Sequence, residues 1–243
     1  MKRIIGILSG KGGSGKSTCA VGIGAALCEL GKQVLLVDLD AGLRCLDVML
    51  DTEDELVFDL GDVLDGTDPE SAILPCRQFA GLSLLAAPAA PRDIDGNRLC
   101  DFLLSQHRFD YIILDFPAGL KFPFISEIAE LTDFCVVCTA DRVGVRDSEN
   151  MSGVLKKSGG ECRIIINKYR HSLVRRGLYC GVDDVIDCSG CRLLGIVPFD
   201  DRMSLYGVLH RKSLTRNAFL RIAKRIYGYD ISLPRITNIE KGR

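Results

Sequence analysis

Long apolar runs are missing from this 243-residue chain. None approaches the roughly eighteen residues that a membrane-spanning helix requires. A secretory leader is not expected either, because the chain already reads as strand and loop by residue 10, so the expected location is the cytoplasm. There is no internal repeat, no low-complexity tract and no linker, and the length suits one α/β domain with a buried sheet. One domain is expected over residues 1–229, followed by a tail over 230–243. Net charge is nearly absent too, at -1, but that value hides an asymmetry. Residues 202–243 carry ten Lys/Arg against Asp230 and Glu240, a balance of +8, which leaves -9 over residues 1–201. A basic end of this kind suits DNA, anionic lipid or an acidic partner, and equally a solvated helix face.

Metal-type cysteine spacing is scarce although cysteine is not. The eleven cysteines are scattered, and Cys135 and Cys138 sit inside an apolar run. The one metal-like pattern, Cys188-Ser189-Gly190-Cys191, lacks two further ligands. Cys180 and His171 are the nearest candidates, and their spacing matches no zinc finger.

What the chain does have is a glycine turn in a telling place. Gly10-Lys11-Gly12-Gly13-Ser14-Gly15-Lys16-Ser17-Thr18 follows the apolar run of residues 4–8 and precedes small residues that read as a helix. A buried strand, a glycine turn and a helix start form the context of a phosphate-binding loop. Glycine tolerates the positive φ that turns backbone N–H groups inward, and the helix N-terminus adds its positive end. Lys16 is expected to reach the β/γ oxygens of a bound triphosphate, and Ser17 to ligate Mg²⁺ directly. Such chemistry belongs in a reducing compartment, so the cysteines read as free thiols.

Short apolar runs alternate with helical stretches, which predicts a doubly wound, mostly parallel α/β sheet with helices on both faces. Strands are expected at residues 4–8, 33–38, 82–85, 111–115, 134–139, 163–167 and 193–197. Helices are expected at 16–30, 56–64, 96–106, 124–131, 148–157, 203–209 and 214–227. Ligands in such sheets bind beyond the carboxyl ends of the strands. Asp38 and Asp40 end the second expected strand, as a pair able to hold a metal shell and orient water, or simply as an acidic turn. Asp115 ends the fourth and suits contact with Mg²⁺ through water. Pro117-Ala118-Gly119 follows as a mobile turn able to sense a γ-phosphate. On the helix of 214–227, Ala218, Phe219, Ile222, Ala223 and Ile226 fall on one stripe, with Arg216, Arg221, Lys224 and Arg225 largely off it.

The second lysine of the loop, Lys11, is more than an ordinary phosphate loop needs. With it, Lys11-Gly12-Gly13-x-Gly15-Lys16-Ser17 resembles the deviant loop of the MinD/ParA family of dimerising ATPases, P-loop proteins in which the early lysine crosses to the partner's phosphates. Asp38-Leu39-Asp40-Ala41-Gly42 through Asp47 resembles the family's switch I. That resemblance implies catalysis by Asp40 and a metal-side role, through water, for Asp38; Cys45 stands where MinD members usually carry asparagine. Asp115 through Gly119 resembles switch II, with Phe116 bulkier than the usual small residue. Asn167 and Pro198-Phe199-Asp200 resemble the adenine-side contacts. Val145-Arg146-Asp147 resembles the stretch near the family's partner-binding surface. The implied activity is Mg²⁺-dependent ATP hydrolysis by a homodimer that forms on ATP, with Lys11, Lys16 and Asp40 as catalytic residues. The phosphates would lie on Gly12, Gly13, Ser14, Gly15, Lys16, Ser17 and Thr18. An activating partner protein and a surface, either the inner face of the membrane or DNA, are implied as well. The implied process is cell-division site placement; the alternatives are DNA partition through the basic end, or Fe–S cluster assembly through Cys188 and Cys191. The tail over 230–243, with Pro234 and no apolar stripe, is expected to lack the amphipathic anchor of MinD members.

Overall fold

The structure, a computed structural model, describes residues 3–120, 123–201, 213–235 and 239. In chain order its elements are β1 (Arg3–Leu8), α1 (Lys16–Glu29), β2 (Val34–Asp38), α2 (Leu46–Leu50), α3 (Leu60–Leu64), α4 (Pro69–Ala72), β3 (Leu74–Pro75), β4 (Leu82–Leu85) and α5 (Gly96–Ser105). Then come β5 (Tyr111–Asp115), α6 (Ile125–Ile128), β6 (Thr132–Thr139), α7 (Arg142–Lys157), β7 (Cys162–Tyr169), α8 (His171–Arg175), α9 (Val182–Ser189), β8 (Arg192–Pro198) and α10 (Arg216–Tyr227). The helix expected at 203–209 lies outside the described residues.

The strands form one sheet in the order β3-β4-β2-β5-β1-β6-β7-β8, parallel throughout except for the short edge strand β3, which pairs antiparallel with β4. Strand residues alternate between its two faces, as period-2 geometry requires. Ile5 and Ile7 of β1, Leu36 of β2 and Ile113 of β5 pack with α1 and α10 on one face. Ile4, Leu8, Leu35 and Ile112 pack with α3, α5, α6 and α7 on the other. The doubly wound sheet with helices on both faces is therefore present.

Helix α1 is built of small residues because α10 lies close against it. A Cβ at Gly22 would come within 2.7 Å of the Phe219 ring. Ala218, Phe219, Ile222, Ala223 and Ile226 are all buried, as the apolar stripe predicts.

Several boundaries differ from expectation, each for a local reason. Helix α3 starts at Leu60 rather than residue 56, because Asp59 and Asp62 form a reciprocal capping box there. Helix α7 starts at Arg142 rather than residue 148, because the Asp141 side chain caps it through the Gly144 N–H. Strand β7 continues two residues past Asn167, to Tyr169. The expected helix at 124–131 is a short α6 followed by a 3₁₀ turn, Ala129–Leu131.

Candidate functional site

The turn from β1 into α1 sits at the carboxyl ends of the parallel strands, where β1 lies between β5 and β6. Gly13 and Gly15 take φ of +76° and +87°, so the turn depends on glycine at those two places. A Cβ at Gly15 would collide with the Asn167 amide. Asn167, buried two residues before the end of β7, donates from Nδ2 to the Ser14 carbonyl at 2.8 Å. Its neighbour Lys168, itself at φ +54°, donates from Nζ to the Gly13 carbonyl at 2.7 Å. The two side chains brace the loop from β7. Among the described residues the Asn167 Oδ1 has no hydrogen-bond partner.

The loop opens on a cavity of about 390 Å³ lined by Lys11 and Gly12 through Thr18, with Ser9, Asp40, Cys45, Met49, Ala118 and Lys168. Of the loop motif only Gly10 is not on this wall. Lys16 Nζ lies 2.7 Å from Asp115 Oδ1 and 3.3 Å from Ser17 Oγ, with the Lys16 and Asp115 side chains only 8% and 1% exposed. Burial pushes the Asp115 carboxyl above its ordinary range, and Lys16 opposes that. Among the described residues Asp115 Oδ2 has no hydrogen-bond partner.

Asp38 pairs in register with Asp115 across β2 and β5 and is fully buried. Its oxygens accept the N–H groups of Asp40 (2.9 Å), Cys45 (3.3 Å) and Leu46 (3.4 Å), which folds the segment after β2 back over the strand end. Burial pushes Asp38 up to about 6, against the lowering effect of those N–H groups, and the nearby Asp115 adds to the rise. Asp40 lies farther out, facing both the loop cavity and a second one beside Pro117 and Phe124. Burial raises its carboxyl as well, while Lys16 opposes the rise.

The turn after β5 is tied back to the loop. Phe116 N–H donates to the Ile7 carbonyl at 3.1 Å, and Gly119 N–H to the Ser9 carbonyl at 3.0 Å. Gly119 has φ +121°. The bulk of Phe116 is accommodated inward, stacked on Phe124 and edge-on to Phe134.

Lys11 is already paired within its own chain. Its Nζ lies 3.1 and 3.2 Å from the two oxygens of Asp141, the cap of α7. Burial alone would raise Asp141, but the Thr139 hydroxyl, the Gly144 N–H and Lys11 together hold it down at about 2. The next turn of α7 backs onto the loop: a Cβ at Gly10 would come within 2.7 Å of the Asp147 Cβ. The Val145-Arg146-Asp147 stretch is thus next to the loop.

Pro198 is buried at the end of β8. Asp200 beyond it accepts from Ser213 Oγ at 3.1 Å and from Leu214 N–H at 2.6 Å, which anchors the segment leading into α10. The Arg170 guanidinium lies 3.7 Å from the centre of the half-exposed Phe199 ring.

Two sequence readings change. Cys188 is exposed, while Cys191 is buried with its sulfur 3.0 Å from that of Cys162. Among the described residues no group of three or more His, Cys, Asp or Glu could hold a metal ion. On α10, Arg225 is not on the outer face: it turns in to the carbonyls of Leu194 (2.9 Å) and Ile231 (2.8 Å). Arg216 pairs with Glu29 at 2.7 Å.

Asp141 and Lys168 are site residues that sequence reasoning passed over. An aspartate just after a strand and before a helical stretch is a capping signal, and it was readable at Thr139-Ala140-Asp141. Nothing in the sequence announces where Lys168 turns.

The arrangement can take a polyanion: N–H groups at a helix start, one buried lysine, and a hydroxyl beside two carboxylates. Those oxygen donors, one of them lacking a partner, fit a hard cation such as Mg²⁺.

Residues 5–210 match the family model of the CobQ/CobB/MinD/ParA nucleotide binding domain. The septum site-determining protein MinD of Synechocystis is 35% identical over 243 aligned positions, covering 95% of this chain and 91% of that protein. The MinC:MinD cell division complex of Aquifex aeolicus contains a chain that superposes with a TM-score of 0.86 at 32% identity, covering 96% of this chain and 98% of that one. MinD of Pyrococcus horikoshii complexed with Mg-ADP superposes with a TM-score of 0.79 at 28% identity, covering 94% and 97%. No described helix is long and apolar enough to cross a membrane. The phosphate-binding loop, the sheet order around it and the match over most of the chain lead to one assignment: this chain belongs to the MinD/ParA family of nucleotide-binding domains and is a P-loop ATP hydrolase similar to MinD.

Proposed function

We propose that this chain is a Mg²⁺-dependent ATP switch that dimerises on ATP and helps to place the cell-division site, with one ATPase domain over residues 1–229. The observation that carries the dimer is Lys11. A triphosphate in this cavity already meets Lys16, the loop N–H groups and the positive end of α1, so a second lysine in cis is redundant. Lys11 opens on the same cavity but is held by Asp141, an ion pair about one-third exposed and therefore cheap to open. A partner's phosphates are a fitting destination for it.

The other roles follow from position. Gly12, Gly13, Ser14, Gly15 and Thr18 hold the phosphates. Lys16 leaves Asp115 for the β/γ oxygens. Ser17 ligates Mg²⁺ directly, and Asp38 and Asp115 hold its water shell. Held there, Mg²⁺ would supply positive charge to offset the negative charge developing on the phosphate oxygens. Asp40, at the cavity rim, orients the attacking water. Pro117, Ala118 and Gly119 sense the γ-phosphate, with the Gly119 N–H moving from Ser9 to the nucleotide. Asn167, Pro198 and Asp200 border the adenine. Hydrolysis then releases the dimer, under the control of a partner protein. The Aquifex relative in complex with MinC supports a partner of that kind. The working place is the cytoplasm, peripheral at the inner face of the membrane.

Light scattering with a non-hydrolysable ATP analogue tests the core of this reading. The parent should dimerise. Lys11→Ala should bind nucleotide as a monomer and lose partner-stimulated hydrolysis on the order of a thousandfold. A variant dimer as tight as the parent's overturns the trans role. Cosedimentation with anionic liposomes in ATP tests the surface; pelleting with DNA and not with liposomes would replace the division-site reading with DNA partition.

A further inference from the structure

At the end of the sheet away from the nucleotide, two cysteines meet. Cys162 opens β7, and Cys191 immediately precedes β8. Arg163 and Arg192 are register partners, so the cysteines one residue earlier are neighbours on adjacent parallel strands. Their sulfurs are 3.0 Å apart, and both thiols are free. Cys191 is 5% exposed, and Cys162 is half-buried, leaving a path for a small reagent from its side.

The surroundings favour one shared proton. Either sulfur can donate to the other, and this contact is the largest influence on both: it lowers Cys191 and pushes Cys162 up. Lys156 also lowers Cys191, with its Nζ 3.4 Å from the carbonyl of the preceding Gly190. Buried thiols elsewhere go the other way: burial raises Cys135 to about 11 and Cys138 to about 12.

We propose that Cys162 and Cys191 are a modification site, a dithiol that a hydroperoxide converts to a disulfide bridging β7 and β8. The Cys191 thiolate attacks the peroxide, the O–O bond breaks, and the leaving oxygen takes up a proton to depart as water or an alcohol. Cys191 is then a sulfenic acid. The Cys162 sulfur attacks it, the S–O bond breaks, and the hydroxyl leaves with the Cys162 proton as water. Two thiols and one hydroperoxide give one disulfide, one water and one alcohol (or a second water), and the protein loses two hydrogens. Adjacent parallel strands hold the two Cα atoms near the separation a disulfide needs. Both cysteines start their strands while the nucleotide loop lies at the strand ends, so nucleotide binding should survive the bridge.

The experiment uses the reduced full chain with stoichiometric hydrogen peroxide, then alkylation and peptide mapping. A peptide pair joined through Cys162 and Cys191, two hydrogens lighter and restored by dithiothreitol, is the expected product. It should form before the exposed Cys188 is oxidised. In Cys162→Ser, Cys191 should stop at the sulfenic acid and be trapped by dimedone. Without any variant, oxidised protein should melt roughly 5–10 °C above reduced protein, since the bridge closes a loop of thirty residues. The proposal is overturned if both cysteines stay alkylatable when Cys188 is consumed, or if either bridges first to another cysteine.

Discussion

Removing the charge of Lys16 tests the interior of the site without any nucleotide. Lys16 and Asp115 face each other at 2.7 Å, almost wholly out of water. Replacing Lys16 with methionine keeps most of the side-chain volume but leaves the Asp115 carboxylate buried without its cation. Breaking a buried pair from one side costs about 3–5 kcal/mol, and proton uptake by Asp115 recovers part of it. Against a typical domain stability of about 5–15 kcal/mol this is a large fraction. The cost should also depend on pH. With Lys16 gone, only the Ser17 hydroxyl still opposes the burial that already raises Asp115, the largest influence on it, so its folded pKa lies above its unfolded one. The folded state then binds the extra proton, and stability falls as pH rises through the folded value. Urea unfolding of Lys16→Met at about pH 5 and about pH 8 should show the larger deficit at the higher pH. Adding Asp115→Asn should restore about 2–3 kcal/mol at the higher pH, because the buried charge is gone. A Lys16→Met protein as stable as the parent at the higher pH, or a deficit that ignores pH, would refute the buried-pair argument.

Asp40→Asn should bind ATP like the parent and hydrolyse it at least about a hundredfold more slowly, read by nucleotide titration and phosphate release. The Asp38 carboxyl should titrate with a midpoint of about 6 by carbon NMR. Because its folded pKa is raised, it should remove about 3 kcal/mol of stability as pH rises from the ordinary carboxylate range through that midpoint. In Asp115→Asn the midpoint should fall; an unchanged value would mean the two carboxylates do not sense each other. Ile239 is 3% exposed within the cluster that includes Tyr169 and Val185. Ile239→Ala should therefore cost about 2–4 kcal/mol in thermal or urea unfolding while leaving ATP-dependent liposome binding in place.

The phosphate loop was legible from the chain because its requirements are local. Gly13 and Gly15 need positive φ, Lys16 and Ser17 follow at fixed spacing, and an apolar strand precedes them. The parallel sheet was legible for a similar reason: strands buried on both faces read as continuous apolar runs. The identity of Asp38, Asp40 and Asp115 as strand-end carboxylates came the same way. What the chain alone could not supply were partners distant in sequence. Lys16 and Asp115 are ninety-nine residues apart, and Lys11 and Asp141 one hundred and thirty. No periodicity encodes which strand ends become neighbours; that depends on the sheet order, which puts β1 between β5 and β6. Asn167 could be marked as a strand-end residue, but its hold on Ser14 required β7 to stand beside β6. Cys188 and Cys191 looked like a pair because they are close in sequence. Tertiary structure gave Cys191 a different neighbour, Cys162, because pairing in a parallel sheet joins the starts of strands that the chain keeps twenty-nine residues apart.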